Sequence, residues 1–188
     1  AALLIMSAKG FVTAQDTLFV NGESLDQIVT YKASEKIIHD VVRQRIYLFG
    51  DAQVESEGFA IKAGYILIDI DSNIVEASYR LDSLGNKVEF PELTEGTETI
   101  FCETIRMNYQ TQKAYIKALS IKQNEFYFKM GTAKRQSNEE IHLRQGILTT
   151  CDLTEPHYHF QLSKGVLVPN ERIVTGPMNL WVSGIPTP

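Results

Sequence analysis

The fold is decided by Ala63-Gly-Tyr-Ile-Leu-Ile-Asp-Ile-Asp-Ser72, followed by Asn73 and Ala77. This stretch lines up with Cys102-Glu-Thr-Ile-Arg-Met-Asn-Tyr-Gln-Thr111, followed by Gln112 and Ala118, with two extra residues in the second turn. Each copy reads as strand, polar turn, strand. One parity stays apolar in both copies, Ile66, Ile68 and Ile70 against Ile105, Met107 and Tyr109. The other admits Asp69 against Asn108 and Leu67 against Arg106. Because successive strand residues point to opposite faces, the apolar parity is the expected buried face. A hairpin recurring at this interval predicts an array of hairpins with one apolar side, a pattern that sandwiches and barrels share.

The same alternation recurs outward from this repeat. Phe126, Phe128 and Met130 alternate with Tyr127 and Lys129, and Tyr158, Phe160 and Leu162 alternate with His157, His159 and Gln161. Between Glu35 and Ile46, the residues Ile37, Ile38, Val41, Val42 and Arg45 follow helical spacing. The β-branched content lowers helix propensity there, and Arg45 to Phe49 continues into a strand-like block ended by Gly50-Asp51. The expectation is an all-β, antiparallel protein with few or no helices.

Composition narrows the class further. A chain of 188 residues fits one domain with a real core. Lys and Arg number 18 against 23 Asp and Glu, a net charge of −5, which lacks the basic footprint of a nucleic-acid binder. No apolar run approaches the roughly 18 residues of a membrane-spanning helix. The start at Ala1 has no methionine and no basic segment before its apolar stretch, and reads as processed or engineered. Cys102 and Cys151 are far apart and form no CxxC, so neither a zinc ribbon nor a dense disulfide framework is expected.

The segment from Thr149 to Phe160 gathers Cys151, Asp152, Glu155, His157 and His159. His-x-His on a strand points both rings to one side, and Cys151 would be a soft third metal ligand. A cupin-like site needs a glutamate shortly after the second histidine and another histidine downstream. Ser163 and Lys164 occupy that region, and no histidine follows His159, so a solvated polar face is the expected role of both rings. Strand alternation gives Cys151 no reason to meet either ring as a nucleophile pair. There is no GxGxxG, Walker loop, HExxH or GxSxG, so a binding or conduit role is expected, without enzymatic activity, metal or cofactor. Glu89 to Glu98 and Glu139-Glu140 read as solvated turns, and Lys134-Arg135 beside Asn138 as a hairpin tip.

A family resemblance enters at Tyr47-Leu-Phe-Gly-Asp-Ala-Gln-Val54, Ile61-Lys-Ala-Gly-Tyr-Ile-Leu-Ile-Asp69 and Asn73-Ile-Val-Glu-Ala77. Their spacing resembles the recurring hairpin of the OstA-like family of lipopolysaccharide transport proteins. Asp82-Ser-Leu-Gly-Asn86, Met107-Asn-Tyr109, Thr149-Thr-Cys-Asp152, Pro156-His-Tyr-His-Phe160, Val174-Thr-Gly-Pro177 and Gly184-Ile-Pro-Thr-Pro188 are similar to the Bacteroidetes branch of the barrel-linked OstA-like/LptD family. The resemblance runs from about Ala33 to the end.

The resemblance implies an open, twisted β-jellyroll over residues 33–188, with residues 1–32 as N-terminal strands or an extension. It implies an apolar trough that shields lipopolysaccharide acyl chains in the periplasm of a Gram-negative cell. The trough residues would be Ile66, Ile68, Ile70, Ile105, Met107, Tyr109, Phe126, Phe128, Tyr158 and Phe160. The implied partners are lipopolysaccharide, LptA-like jellyroll proteins joined edge strand to edge strand, and an outer-membrane barrel into which Arg172 to Pro188 would lead. By the same resemblance, Cys151 forms a disulfide to a cysteine of that barrel, outside this chain. Cys102, matching Ala63 in the repeat, is expected as a small half-buried residue. An LptA-like soluble bridge shares the hairpins, and the competing readings are a carbohydrate-binding jellyroll and a cupin-like metal protein using His157 and His159.

Overall fold

The computed structural model describes residues 14–18, 29–56, 58–95, 98–123, 125–153, 155–168 and 171–187. In chain order the strands are β1 (Ala14–Leu18), β2 (Val29–Ala33), β3 (Lys36–Asp40), β4 (Arg45–Ser56), β5 (Phe59–Asp69) and β6 (Ile74–Ser78). A short hairpin, β7 (Arg80–Leu81) and β8 (Lys87–Val88), precedes β9 (Glu92–Glu95), β10 (Glu98–Phe101), β11 (Thr104–Asn108) and β12 (Ala114–Gln123). The chain continues through β13 (Phe126–Arg135), β14 (Ile141–Thr149), β15 (Tyr158–Val168), β16 (Arg172–Thr175), β17 (Met178–Val182) and β18 (Ile185–Pro186). All pairings are antiparallel, and apart from the β7–β8 hairpin the strands join one sheet that does not close into a barrel. The all-β jellyroll-like expectation holds, and the helical spacing from Glu35 to Ile46 resolves into the β3–β4 hairpin. Tertiary pairing with β5 outweighs the local 3.6-residue pattern there.

The long strands each serve two layers. In the first layer, β3 pairs with residues 45–49 of β4, and residues 65–69 of β5 pair with β6, which leads through β11 to the start of β12. In the second layer, β2 pairs with residues 53–55 of β4, and residues 60–62 of β5 pair with β9, which leads through β10 to the far half of β12. Likewise β15 takes β16 on its first-layer half and β17 on its second-layer half. The sheet is therefore folded over itself along a line that crosses the long strands.

That line is written in the backbone. Gly50 and Asp51 have φ of 73° and 39° and form a bulge between Phe49 and Ala52. Further along, Ala118 and Gln145 both have φ of 51°, and the ladders β12–β13, β13–β14 and β14–β15 skip the row Ala118, Gly131, Gln145 and Ser163. The inward-facing parity slips by one at this row. In β13, Phe128 and Met130 are buried before it and Ala133 after it; in β15, Leu162 is buried before it and Gly165 after it. Gly64 lies at the corresponding place in β5, where a Cβ would sit 2.9 Å from the backbone nitrogen of Arg80. Side chains are excluded there because the β7–β8 hairpin is packed directly over the bend.

The two layers enclose one apolar core. Leu48, Val54, Ile61 and Ile66 are fully buried, with Val75, Leu93, Ile105, Met107 and Ile116 nearly so. Enclosing a side chain of this size is worth about 1.5–3 kcal/mol relative to leaving it in water. The hairpin repeat is confirmed in structure, with one correction to its register. Ile66 and Ile68 face Ala77 and Val75, while Ile105 and Met107 face Ile116 and Ala114. Ala77 therefore corresponds to Ile116, not Ala118, and the second turn carries no insertion. Asp69 accepts the Ser72 N–H and Asn108 accepts the Thr111 N–H, each followed by a left-handed residue, Asn73 or Gln112, with φ of 57°. Asp40, Arg43 and Gln44 repeat this arrangement in the β3–β4 turn. The carboxylate or amide at the first position satisfies a backbone donor that a four-residue loop leaves exposed.

Candidate functional site

The ten residues expected to line a trough share the inward side of the folded sheet but divide into two environments. Ile66, Ile68, Ile105 and Met107 are 0–4% exposed and belong to the closed core. Phe128 is buried at the edge of that core, and Ile70 and Tyr109 pack against it half-buried. Burial also raises the Tyr109 phenol above its ordinary range. By contrast, Phe126 is 46% exposed and Tyr158 and Phe160 are each 38% exposed. Phe160 is opposite Leu180, Tyr158 opposite Val182 and Leu162 opposite Met178, so the apolar inward face continues onto β17. Met178 and Val182 remain open to solvent. The interior is thus packed at one end of the sheet and uncovered at the other.

Two polar devices hold the layers. At the bend, the Arg80 guanidinium lies between Glu35 at 3.0 Å and Glu89 at 2.6 Å, and Glu89 also accepts the Asp51 N–H. The Arg80 hydrogen bond is the chief cause of the lowered pKa of Glu89. At the side opposite the bend, Arg135 of β13 pairs with Glu95 of β9, joining the free ends of the two layers. The Glu89 to Glu98 stretch is therefore not a solvated turn: it contains β9 and the start of β10 and supplies Glu89 to one clasp and Glu95 to the other. Lys134 and Arg135 do close β13 at the tip of the β13–β14 hairpin, with Asn138 in its turn, but the Arg135 side chain is only 13% exposed because it turns inward to Glu95. Sequence offered no signal for this pairing, because the partners are forty residues apart with no shared motif.

The Thr149 to Phe160 segment is partly brought together. Cys151 Sγ lies 3.7 Å from His157 Nδ1, a contact that strand alternation alone did not predict, because His157 precedes β15 and its loop bends back. Thr149 fixes that loop by donating to the Tyr158 carbonyl while accepting the Cys151 N–H. His159, in contrast, stacks on Trp181 at 6.1 Å between ring centroids with the planes 8° apart. Among the described residues, no group of three His, Cys, Asp or Glu side chains is arranged to hold a metal ion. Cys102 and Cys151 are both free thiols. Cys102 is buried rather than half-buried, matching Ala63 at 4% exposure each, and burial pushes its thiol up to about 12.

No family model matches the chain, and no curated protein matches it significantly.

Proposed function

We propose that this chain carries lipopolysaccharide, holding the acyl chains against the inward face of its folded sheet, in the manner of the OstA-like/LptD family it resembles. The observation that supports this reading is the continuity of one apolar face from the closed core to the uncovered rings of Phe126 and Phe160. An acyl chain left in water costs about 0.8 kcal/mol per CH₂, so a carrier must offer apolar surface along the whole length of the lipid. The open end receives the tails, and the layers part on the Glu95–Arg135 side to admit them farther. The sheet's unpaired outer strands suit addition of further strands from LptA-like periplasmic jellyrolls, since exposed edges present free N–H and C=O groups. Cys151, free and partly accessible near the open end, is available for a disulfide to a barrel outside this chain.

Photo-crosslinking residues at Phe160, Ile68 and Met107, incubated with purified lipopolysaccharide, are expected to capture it in that order of yield. The same residues at Asp69 and Asn108, in the polar turns, are the controls. Equal capture from turn and interior positions overturns the reading.

A further inference from the structure

We propose that the outward face of the first layer is a second binding surface, one that takes an extended anionic oligosaccharide. It is independent of the lipid reading, because it uses the opposite side of the sheet. Five consecutive strands each contribute one outward cation: Arg106 on β11, Lys117 on β12, Lys134 on β13, Arg144 on β14 and Lys164 on β15. In register, Arg106, Tyr115, Lys134 and His142 form one row across the strands, and Lys117, Thr132, Arg144 and Lys164 the next. With neighbouring strands about 4.8 Å apart, the ribbon of charge spans roughly 19 Å.

The chain's net charge is −5, yet this ribbon is scarcely neutralised. Glu76 pairs with Arg106 at 3.2 Å, and Glu140 stands 3.6 Å from His142. Among the described residues, Lys117, Lys134, Arg144 and Lys164 have no carboxylate within ion-pair distance. Two shallow hollows indent this face. One hollow of about 670 Å³ is lined by Arg106, Tyr115, Thr132, Lys134, Gln136, His142 and Arg144. A second, of about 320 Å³ and lined also by Lys117 and Glu76, adjoins it across Arg106 and Tyr115.

The chemistry of the lining selects the ligand. Lysine and arginine supply charge-assisted bonds to carboxylate or phosphate, while Thr132, Gln136 and the tyrosine hydroxyl supply neutral partners for hydroxyl groups. A sugar bearing acidic groups offers both along one chain. The Tyr115 ring, 37% exposed with Lys134 Nζ 5.9 Å from its centroid, adds an aromatic surface on which a sugar ring can pack beside the cations.

The test titrates the intact chain with pentagalacturonate and with phosphorylated mannopentaose, using neutral mannopentaose, phosphatidylglycerol vesicles and a single-stranded 12-mer DNA for comparison. The expected result is binding of at least one acidic sugar tenfold or more tighter than the neutral one. Lys134→Gln with Arg144→Gln is expected to weaken it tenfold or more, and the amide and ring resonances of Tyr115 and His142 to shift on binding. Lys32→Gln with Lys62→Gln, on the second layer, is the control for general charge and is expected to leave affinity within twofold. An equal loss from that control, preference for vesicles or DNA, or no binding of either acidic sugar overturns the proposal.

Discussion

The two ends of the folded sheet use the same alternating pattern to opposite effect. Around β4, β5 and β6, each inward side chain meets another from the facing layer, and Leu48, Val54, Ile61 and Ile66 lose all contact with water. Around β15 and β17, inward residues of equal apolarity such as Phe160, Met178 and Val182 remain more than a third exposed, although Leu162 beside the bend is buried. The difference does not lie in composition. It lies in how much of the opposing layer is present: β16 is short and covers little, whereas β3, β6 and β11 cover the other end completely. An apolar sheet face is thus a core or a binding surface according to what lies across from it.

The contrast is sharpest at the two thiols. Cys102, in the closed region and with its pKa pushed to about 12, is expected to resist a maleimide or disulfide reagent in the folded protein. Cys151 is expected to react faster by more than about a hundredfold. Equal labelling rates without denaturant would mean that the closed end opens as readily as the other. The next largest effect is on stability. Ile66→Ala leaves a cavity in a fully packed site and is expected to cost about 2–5 kcal/mol in denaturant unfolding, against about 1 kcal/mol for Phe160→Ala, whose ring is already half in water. Similar losses would break the distinction between core and surface.

Arg135→Ala leaves the Glu95 carboxylate without its partner and is expected to cost about 1–2 kcal/mol. It should also raise the uptake of an apolar dye, since the clasp between layers is gone. Unchanged dye uptake would show that the layers do not part on that side. The smallest effect belongs to the turns. Asp69 is held below the usual carboxylate range, first by the Ser72 backbone N–H and further by the Ser72 side chain and Arg45. Its folded pKa is depressed, so its contribution is present above about pH 4 and is lost as pH falls through the folded value. Asp69→Asn, which copies Asn108, is expected to flatten the acid limb of the stability profile by less than about 1 kcal/mol, because the amide keeps the turn's acceptor and the Arg45 partner is 40% exposed and screened by water. An unchanged profile would mean that this turn does not contribute to acid sensitivity.

Much of this was legible in the sequence wherever period-two alternation ran uninterrupted. Ile66, Ile68, Ile105 and Met107 were identified as inward because each pair lies within one limb of a strand, between bend and turn. The alternation of Phe126, Phe128 and Met130 places them on one face in the same way. The bend itself was not legible. At Gly131 and Gln145 the phase slips without proline, and a left-handed glutamine or alanine carries no sequence mark of its own. Such residues persist because the ladders on either side determine them. The closure of the core also escaped prediction, since alternation tells which face is apolar but not what covers it. The Glu95–Arg135 clasp and the Cys151–His157 contact depend on chain returns that no local pattern encodes.

The skipped row at Ala118, Gly131, Gln145 and Ser163 has a mechanical consequence. It works as the spine of a book. Rotation of one layer against the other would be concentrated where the ladder has no rungs, so the covers could swing without unzipping a strand pair. Every cover is continuous with its opposite through the chain itself, so the molecule could gape and shut repeatedly while its topology stays intact.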